Sequence, residues 1–281
     1  MSGIWRDTAR RLRSNRLALG AAGFILGIAL LSIVGPLVDA NRFDSLDWSN
    51  IAVAPGAQHG HWLGTDRLGR DMLVRTLDGT RISLLIGMIA ASMSLVVGVA
   101  YGAIAGFAGG GIDRWMMRLV EIMSGLPLIF FVILLTVLFG RGLFLLLSSI
   151  GAIGWLTMAR IVRGQTLSVR RREFIEAAVA GGAGPARIIF KHVVPNVIGP
   201  VIVYAMLTVP QMILFESFLS FLGLGIQEPH ASLGTLIADG AGEMEAAPWI
   251  LLVPGGLLAL LLLSFNLFGD CLRDALGSDG S

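Results

Sequence analysis

The sequence contains a single lysine, Lys191, and its surroundings rule out one kind of chemistry. A phosphate-binding P-loop needs G-x-x-x-x-G-K-[ST], because backbone amides cradle the phosphate and the lysine brings the charge. Lys191 stands in "IIFKHVV", with no glycine ahead of it and no serine or threonine behind. This polypeptide therefore holds no nucleotide in that manner. Cys271 is the only cysteine, which excludes an intrachain disulfide and a cysteine metal cluster. His59 and His61 are spaced as i and i+2, but no third ligand follows at a recognisable spacing, so the expectation is ordinary loop histidines and no metal. No nucleophile or general base stands beside a convincing partner. The expectation is a chain without catalytic residues and without a cofactor of its own.

The carboxylates lead to the elements that must carry them. Charged residues make up 14% of the sequence against about a quarter in soluble domains, and the mean hydropathy is +0.78, which together place the chain in a membrane. Long uncharged runs cover 17–38, 82–107, 142–159, 193–215 and 246–269, and a sixth, 119–140, carries only Glu121. These runs are continuously apolar and do not alternate, so they predict six membrane-spanning helices and not a β-barrel. Proton- or sodium-driven carriers place an acid near mid-membrane. Glu121 and Glu216 fall near the ends of their runs, which gives weak support to an ion-coupled carrier or channel and leaves it as the alternative of another class.

Arginine sets the expected orientation. Arg6, Arg10, Arg11, Arg13 and Arg16 precede the first run, and Arg160, Arg163, Arg170, Arg171, Arg172 and Arg187 lie with Lys191 between the fourth and fifth runs. By the positive-inside rule both termini are cytoplasmic. The expected organisation is a cytoplasmic segment 1–16, a spanning domain 17–269 and a cytoplasmic tail 270–281. External loops are expected at 39–81 and 216–245, and a long cytoplasmic loop at 160–195. A cleaved signal peptide is the competing reading of the first run. Its apolar core is typically about 7–15 residues, shorter than this run, and no small-residue cleavage site follows.

The polar stretch "REFIEAAVAGGAGPARIIFKHVVPN" at 172–196 interrupts the apolar pattern. Glu173 and Glu176 suit the first turns of a short helix, where carboxylates meet the positive end of the dipole. "GGAG" at 181–184 stops that helix, and Pro185 suits the first position of a second one. Arg187 and Lys191 are i,i+4 neighbours on a polar face, and Pro195 precedes the next span. Two short helices at an angle, hinged on glycine, suit a cleft on another protein. They equally suit the lipid headgroups, and periodicity alone does not separate the two.

Three further patterns lie within the spans. Tyr204, Thr208 and Gln211 stand at i, i+4 and i+7, forming a polar stripe that lines a path or meets another helix. Gly98, Gly102 and Gly106 form a small-xxx-small ridge expected to serve close helix packing. Pro127 and Pro210 are expected to kink their helices.

"EAAVAGGAGPARIIFKHVVP" at 176–195 resembles the EAA loop of ABC importer permeases, with Glu176-Ala177-Ala178, Gly182 at the family's spacing and Pro195 at the end. His192 and Val194 depart from the residues preferred there. "HWLGTDRLGRDML" (61–73), "TRISLLIG" (80–87), "GGGIDRWMMRLVEIMSGLP" (109–127), "ESFLSFLGLGIQEP" (216–229) and "SFNLFGDCLRDAL" (264–276) are similar to the C-type subunits of dipeptide and oligopeptide permeases. Glu228, where proline is usual, and Cys271, where glycine is usual, are departures.

The resemblance implies an all-α, type I ABC importer permease fold in the bacterial plasma membrane. It also implies a B-type partner permease, two ATPase subunits that hold ATP and Mg, and an extracytoplasmic peptide-binding protein. No nucleic-acid partner is implied. The coupling helix would lie in the EAA loop, with Glu176, Ala177, Ala178, Gly182, Pro185, Arg187, Lys191 and Pro195 as its residues. Tyr204, Thr208 and Gln211 would line the translocation path. Peptides are the expected cargo, with nickel or haem as alternatives within the same machinery.

Overall fold

The chain is described by a computed structural model over residues 2–38, 45–56, 60–140 and 142–277. Within these residues the architecture is helical, and the only β features are two isolated bridges, Gly56 with His61 and Thr65 with Asp71. The helices are α1 (Ser2–Ser14), α2 (Arg16–Val38), α3 (Met72–Ala108), α4 (Gly110–Gly125), α5 (Leu128–Phe139), α6 (Leu143–Arg170), α7 (Glu173–Ala180), α8 (Pro185–Ile188), α9 (Val194–Phe221), α10 (Leu233–Gly242) and α11 (Trp249–Gly277). Five helices are long and apolar enough to cross a bilayer, and the number rises to six if the bent pair α4–α5 counts as one span.

The third expected span differs from its sequence reading. Residues 119–140 do not form one straight helix, because α4 and α5 meet at 83°. Proline supplies the reason. Leu126, ahead of Pro127, sits in extended backbone (φ −77°, ψ 131°), since the proline ring excludes the helical region for the residue before it. Pro210 acts otherwise: it lies inside α9, which continues through it.

Several helices outrun the apolar windows. α3 is 37 residues long, about 55 Å at 1.5 Å per residue, against about 30 Å of hydrocarbon. Its start, held by Asp71 as N-cap, extends into the stretch 39–81 expected as a loop. α11 likewise carries helix to Gly277, into the stretch 270–281 expected as a tail. There α1 docks on it: Arg11 donates to the Ala275 carbonyl (3.4 Å) and the Asn15 amide to Cys271 Sγ (3.4 Å). Cys271 is thus a helix contact and not a loose end.

The bundle is held at its centre by α3 against α6. A Cβ on Gly98 would lie 2.5 Å from Met158 Cβ, one on Gly102 2.4 Å from the Ala159 carbonyl, and one on Gly106 2.8 Å from Thr166 Cβ. From the opposite side, a Cβ on Gly154 would fall within 2.9 Å of Ser94 Cβ. The glycine ridge therefore serves close packing, as its spacing indicates. Backbones approach because there are no side chains between them, and dispersion accumulates over the contact.

Two larger apolar clusters, and a small one of Met72, Ala247 and Ile250, fill the rest. Leu84, Ile86, Ile150, Ile213, Leu219 and Leu261 pack toward the end that bears α10. Met158, Val162, Ile175, Ile188, Val193 and Val197 pack toward the arginine-rich end. α11 starts at the α10 end, where Trp249 donates to the Thr65 carbonyl, so its far end, with α1 packed on it, lies at the second end.

The ridge gives a direct test. Gly102→Ala should lower the melting temperature of the detergent-solubilised protein, at a cost of about 1–3 kcal/mol for overpacking. Gly20→Ala, whose Cβ meets nothing within 4 Å, should leave it unchanged.

Candidate functional site

At the arginine-rich end, α6 ends at Arg170 and the chain turns through Arg171 and Arg172 into α7. Arg172 is extended (φ −85°, ψ 141°), and its carbonyl accepts from the amides of Ile175 (2.9 Å) and Glu176 (3.3 Å). Glu173 and Glu176 stand in the first turn, as their charge predicts. Ile175 roots the helix: it is 2% exposed and sits in the cluster with Met158, Val162 and Val193. The opposite side is open, with Glu173, Ala177 and Ala180 exposed, while Val179, one turn on from Ile175, is 54% exposed toward the groove behind the helix.

Gly182 closes the helix by a Schellman motif. Its amide donates to the Val179 carbonyl (3.0 Å), and the next amide, of Ala183, donates to the Ala178 carbonyl (3.0 Å). This pattern needs a left-handed residue after the helix, and Gly182 has φ +76°. A Cβ there would meet nothing within 4 Å in this chain. Conformation, and not crowding by its own chain, makes position 182 a glycine.

Pro185 opens α8 after an extended Gly184, as its fixed φ suits. Arg187 and Lys191 are both exposed, and Phe190 between them is 75% exposed. The sequence predicts a second short helix that ends at Pro195, and the structure differs. α8 passes through a π-helical segment, Ile189–Val193, directly into α9, so Pro195 lies near the start of a continuing rod. Proline lacks an N–H and crowds the carbonyl four residues back. The widened π turn absorbs this, with the Val194 amide reaching Ile189, five residues back. The hinge is therefore the 181–184 link alone. Across it the rings of Phe174 and His192 lie 6.3 Å apart, and behind α7 an open groove of about 990 Å³ is lined by Ile104, Phe107, Ile112, Val179, Ala183 and Ile189.

On α9, Tyr204 and Gln211 are exposed and Thr208 is half-buried. The Thr208 hydroxyl donates to the Tyr204 carbonyl (2.7 Å) within its own helix. No other described side chain hydrogen-bonds this stripe, and Leu214 and Phe218 extend the exposed face toward the far end. The stripe is thus an outer surface of this chain.

The far end holds polar groups that spacing did not reveal together. Glu216 is fully buried and accepts hydrogen bonds from the hydroxyls of Ser83 (2.8 Å) and Ser220 (2.6 Å). Ser83 also accepts from the Leu233 amide (3.1 Å), so one carboxylate ties α3, α9 and α10 together. An acid near a span's end suggests a proton relay, but this one is an enclosed anchor. Outside the spans, Asp66 accepts from Arg70 (2.7 Å) and Arg75 (2.8 Å), and Arg70 donates to Glu228 (3.0 Å). Burial works against the Arg70 charge, but Asp66 and Glu228 more than offset it and raise its pKa above the ordinary value. Burial pushes the nearby Asp239 carboxyl above its usual range, and Arg67 and Arg70 only partly offset this. The departure at Glu228 therefore makes an ion pair. His61 is held by Asp71 (2.8 Å), which caps α3, and His59 lies outside the described residues. Among the described residues no group of three or more His, Cys, Asp or Glu is arranged to hold a metal.

Residues 98–279 match the family described as "Binding-protein-dependent transport system inner membrane component", and residues 3–53 match "N-terminal TM domain of oligopeptide transport permease C". The sequence is 52% identical over 273 residues to the oligopeptide transport system permease protein OppC of Escherichia coli K12, spanning 97% of this chain and 90% of that one. It is 50% identical to OppC of Haemophilus influenzae (97% and 88% covered) and 43% identical to the dipeptide transport system permease protein DppC of Bacillus subtilis (96% and 84% covered). Among solved structures, an inward-facing MetNI methionine ABC transporter chain matches with a TM-score of 0.58 at 19% identity, covering 73% of this chain and 97% of that one. That likeness concerns the fold alone.

The Schellman geometry sets an order among substitutions. Gly182→Asn should keep α7 intact, because asparagine tolerates the left-handed region. Gly182→Val should fray the last turn at about 1–2 kcal/mol. Hydrogen–deuterium exchange of the α7 amides reads the difference.

Proposed function

Because the chain belongs to the family of binding-protein-dependent transport system inner membrane components, we propose that it forms half of a translocation path for peptides in an ATP-driven importer. The relatives named as oligopeptide and dipeptide permeases support this cargo at 43–52% identity across nearly the whole chain. In this reading a B-type permease pairs with it, two ATPase subunits hold ATP and Mg, and an extracytoplasmic binding protein delivers the peptide. The chain itself is a membrane subunit that supplies shape and not chemistry.

One observation carries the reading. α7 is a short helix rooted in the bundle by Ile175, ended by a Schellman glycine and exposed on the side away from the root. A lever needs these properties: a stiff arm, a fixed pivot and a free face. ATP-driven closure of the partner ATPases would press on Glu176 and Ala177, and Arg187 and Lys191 would meet them beyond the Gly181–Gly184 link. The push would reach the spans through α6 on one side of α7 and α8–α9 on the other. Tyr204, Thr208 and Gln211 would then face the partner permease across the path, since Tyr204 and Gln211 are exposed and Thr208 bonds only within its own helix among the described residues. The arginine-rich end, with both termini, would be cytoplasmic, and the Asp66–Arg70–Glu228 network would face the binding protein.

Two measurements test this. In proteoliposomes with its partners, Gly182→Asp should assemble and hydrolyse ATP but fail to accumulate labelled peptide, and normal uptake would refute the lever. A fluorescent protein that matures only in the cytoplasm, fused after Ser281, should be bright, whereas alkaline phosphatase fused there should be inactive. The opposite pair of results would reverse the orientation.

A further inference from the structure

The stretch "GGGIDRWMMRLVEIMSGLP" plays no part in the lever described so far. Its place in the fold gives it one. α3 turns into α4 over two consecutive left-handed glycines, Gly109 (φ +67°) and Gly110 (φ +56°). A Cβ on Gly109 would lie 2.5 Å from the Arg170 guanidinium, which also sits 5.9 Å from the centre of the Phe107 ring. One turn on, Asp113 meets Arg163 in a two-pronged ion pair: Nε to Oδ1 at 2.5 Å and Nη2 to Oδ2 at 2.6 Å. Asp113 is 7% exposed and lies in the first turn of α4, where the helix dipole favours its charge.

This pair is the charged joint between α6 and the α4–α5 arm, whose α5 also packs on α6. Arg163 belongs to α6, which leads through the turn at Arg171 and Arg172 into α7. Asp113 heads α4, which leads through the 83° bend into α5. α7 and α4 themselves face each other across the groove lined by Val179 and Ile112 and are not packed together. Farther along α4, the Tyr101 hydroxyl of α3 donates to the Met116 carbonyl (2.9 Å), and Arg160 of α6 donates to the Ser124 hydroxyl. Among the described residues, Arg163–Asp113 is the one ion pair between α6 and α4. A forked guanidinium–carboxylate contact fixes orientation as well as distance, unlike a single hydrogen bond.

We propose that Asp113 and Arg163 are positioning residues that carry movement of the α6–α7 unit into α4 and the bent α5, and so set how much transport follows each ATP hydrolysed. The inference rests on the lever reading above. Removing the fork leaves α7 able to engage the ATPases, while α4 keeps only the Arg160–Ser124 bond to α6 among the described residues and follows its orientation less closely.

The test uses the whole assembly of both permeases, ATPases and binding protein in proteoliposomes, with uptake of a labelled peptide and phosphate release measured together. Asp113→Asn and Arg163→Gln should each assemble in normal amount and keep basal ATP hydrolysis. Peptide moved per ATP should fall by about fivefold or more, the lower range of coupling between sites. The exchanged pair D113R/R163D should recover most of that ratio. Arg163→Lys, which keeps the charge and loses the fork, should fall between wild type and Arg163→Gln, and this ranking decides if the exchanged pair does not assemble. An unchanged ratio in Asp113→Asn overturns the proposal. So does a parallel loss of assembly, hydrolysis and uptake, which marks a merely structural contact. Failure of the lever reading would look different, because Gly182→Asp would then accumulate peptide normally.

Discussion

The close approach of α3 and α6 is the constraint on which the other parts depend. Gly98, Gly102 and Gly106 bring the two backbones together at points where a methyl group would overlap Met158, the Ala159 carbonyl and Thr166. Lipid offers no hydrophobic drive between apolar helices, so association rests on shape, and bare backbone gives the closest fit. Because α6 is seated this way, its end falls at a defined place beside the end of α3. The turn into α7, the seat of Ile175 and the reach of Arg163 to Asp113 all follow from that placement.

A second constraint is local. The end of α7 has to release the chain in a new direction without leaving its last carbonyls unpaired, and the Schellman bonds from Gly182 and Ala183 do both. Beyond it the π-helical segment lets proline sit in a continuous rod. The consequence is mechanical. A bend at the glycines and none at Pro195 leaves α7 with one pivot on its far side, and α8–α9 forms one continuous rod from the arginine-rich end to Phe221.

Polar groups are sorted by depth. At the far end, buried charged side chains meet partners: Arg70 and Arg75 share Asp66, and Glu216 is enclosed by serine hydroxyls. An unpaired charge in such a place would cost several kcal/mol, on the order of 3–5. These contacts staple α10 and the stretch 60–71 onto the ends of α3 and α9 and make that end stiff. At the arginine-rich end, by contrast, Arg187, Lys191, Glu176 and Phe190 are exposed, as befits a surface that other chains complete.

The sequence alone determined the features that a short window contains. Apolar runs too long for a soluble core marked the spans, arginine gave the expected sidedness, and the small-xxx-small ridge announced close packing. "GGAG" followed by proline marked a helix stop and a helix start, because φ preference and capping are decided within a few residues. Tertiary structure decided what depends on distant partners. Glu216 read as an acid near the end of its run because Ser83 lies on another helix, and Asp113 carried no assignment because Arg163 lies across the bundle. Pro195 read as a stop because the π turn that absorbs it leaves no compositional mark, and Pro127 read as a modest kink because its 83° depends on where α6 lets α4 lie. Backbone torsions and hydrophobic run lengths are local properties of the chain, whereas the pairing of charges and the angle between helices are settled only when separate segments compete for the same space.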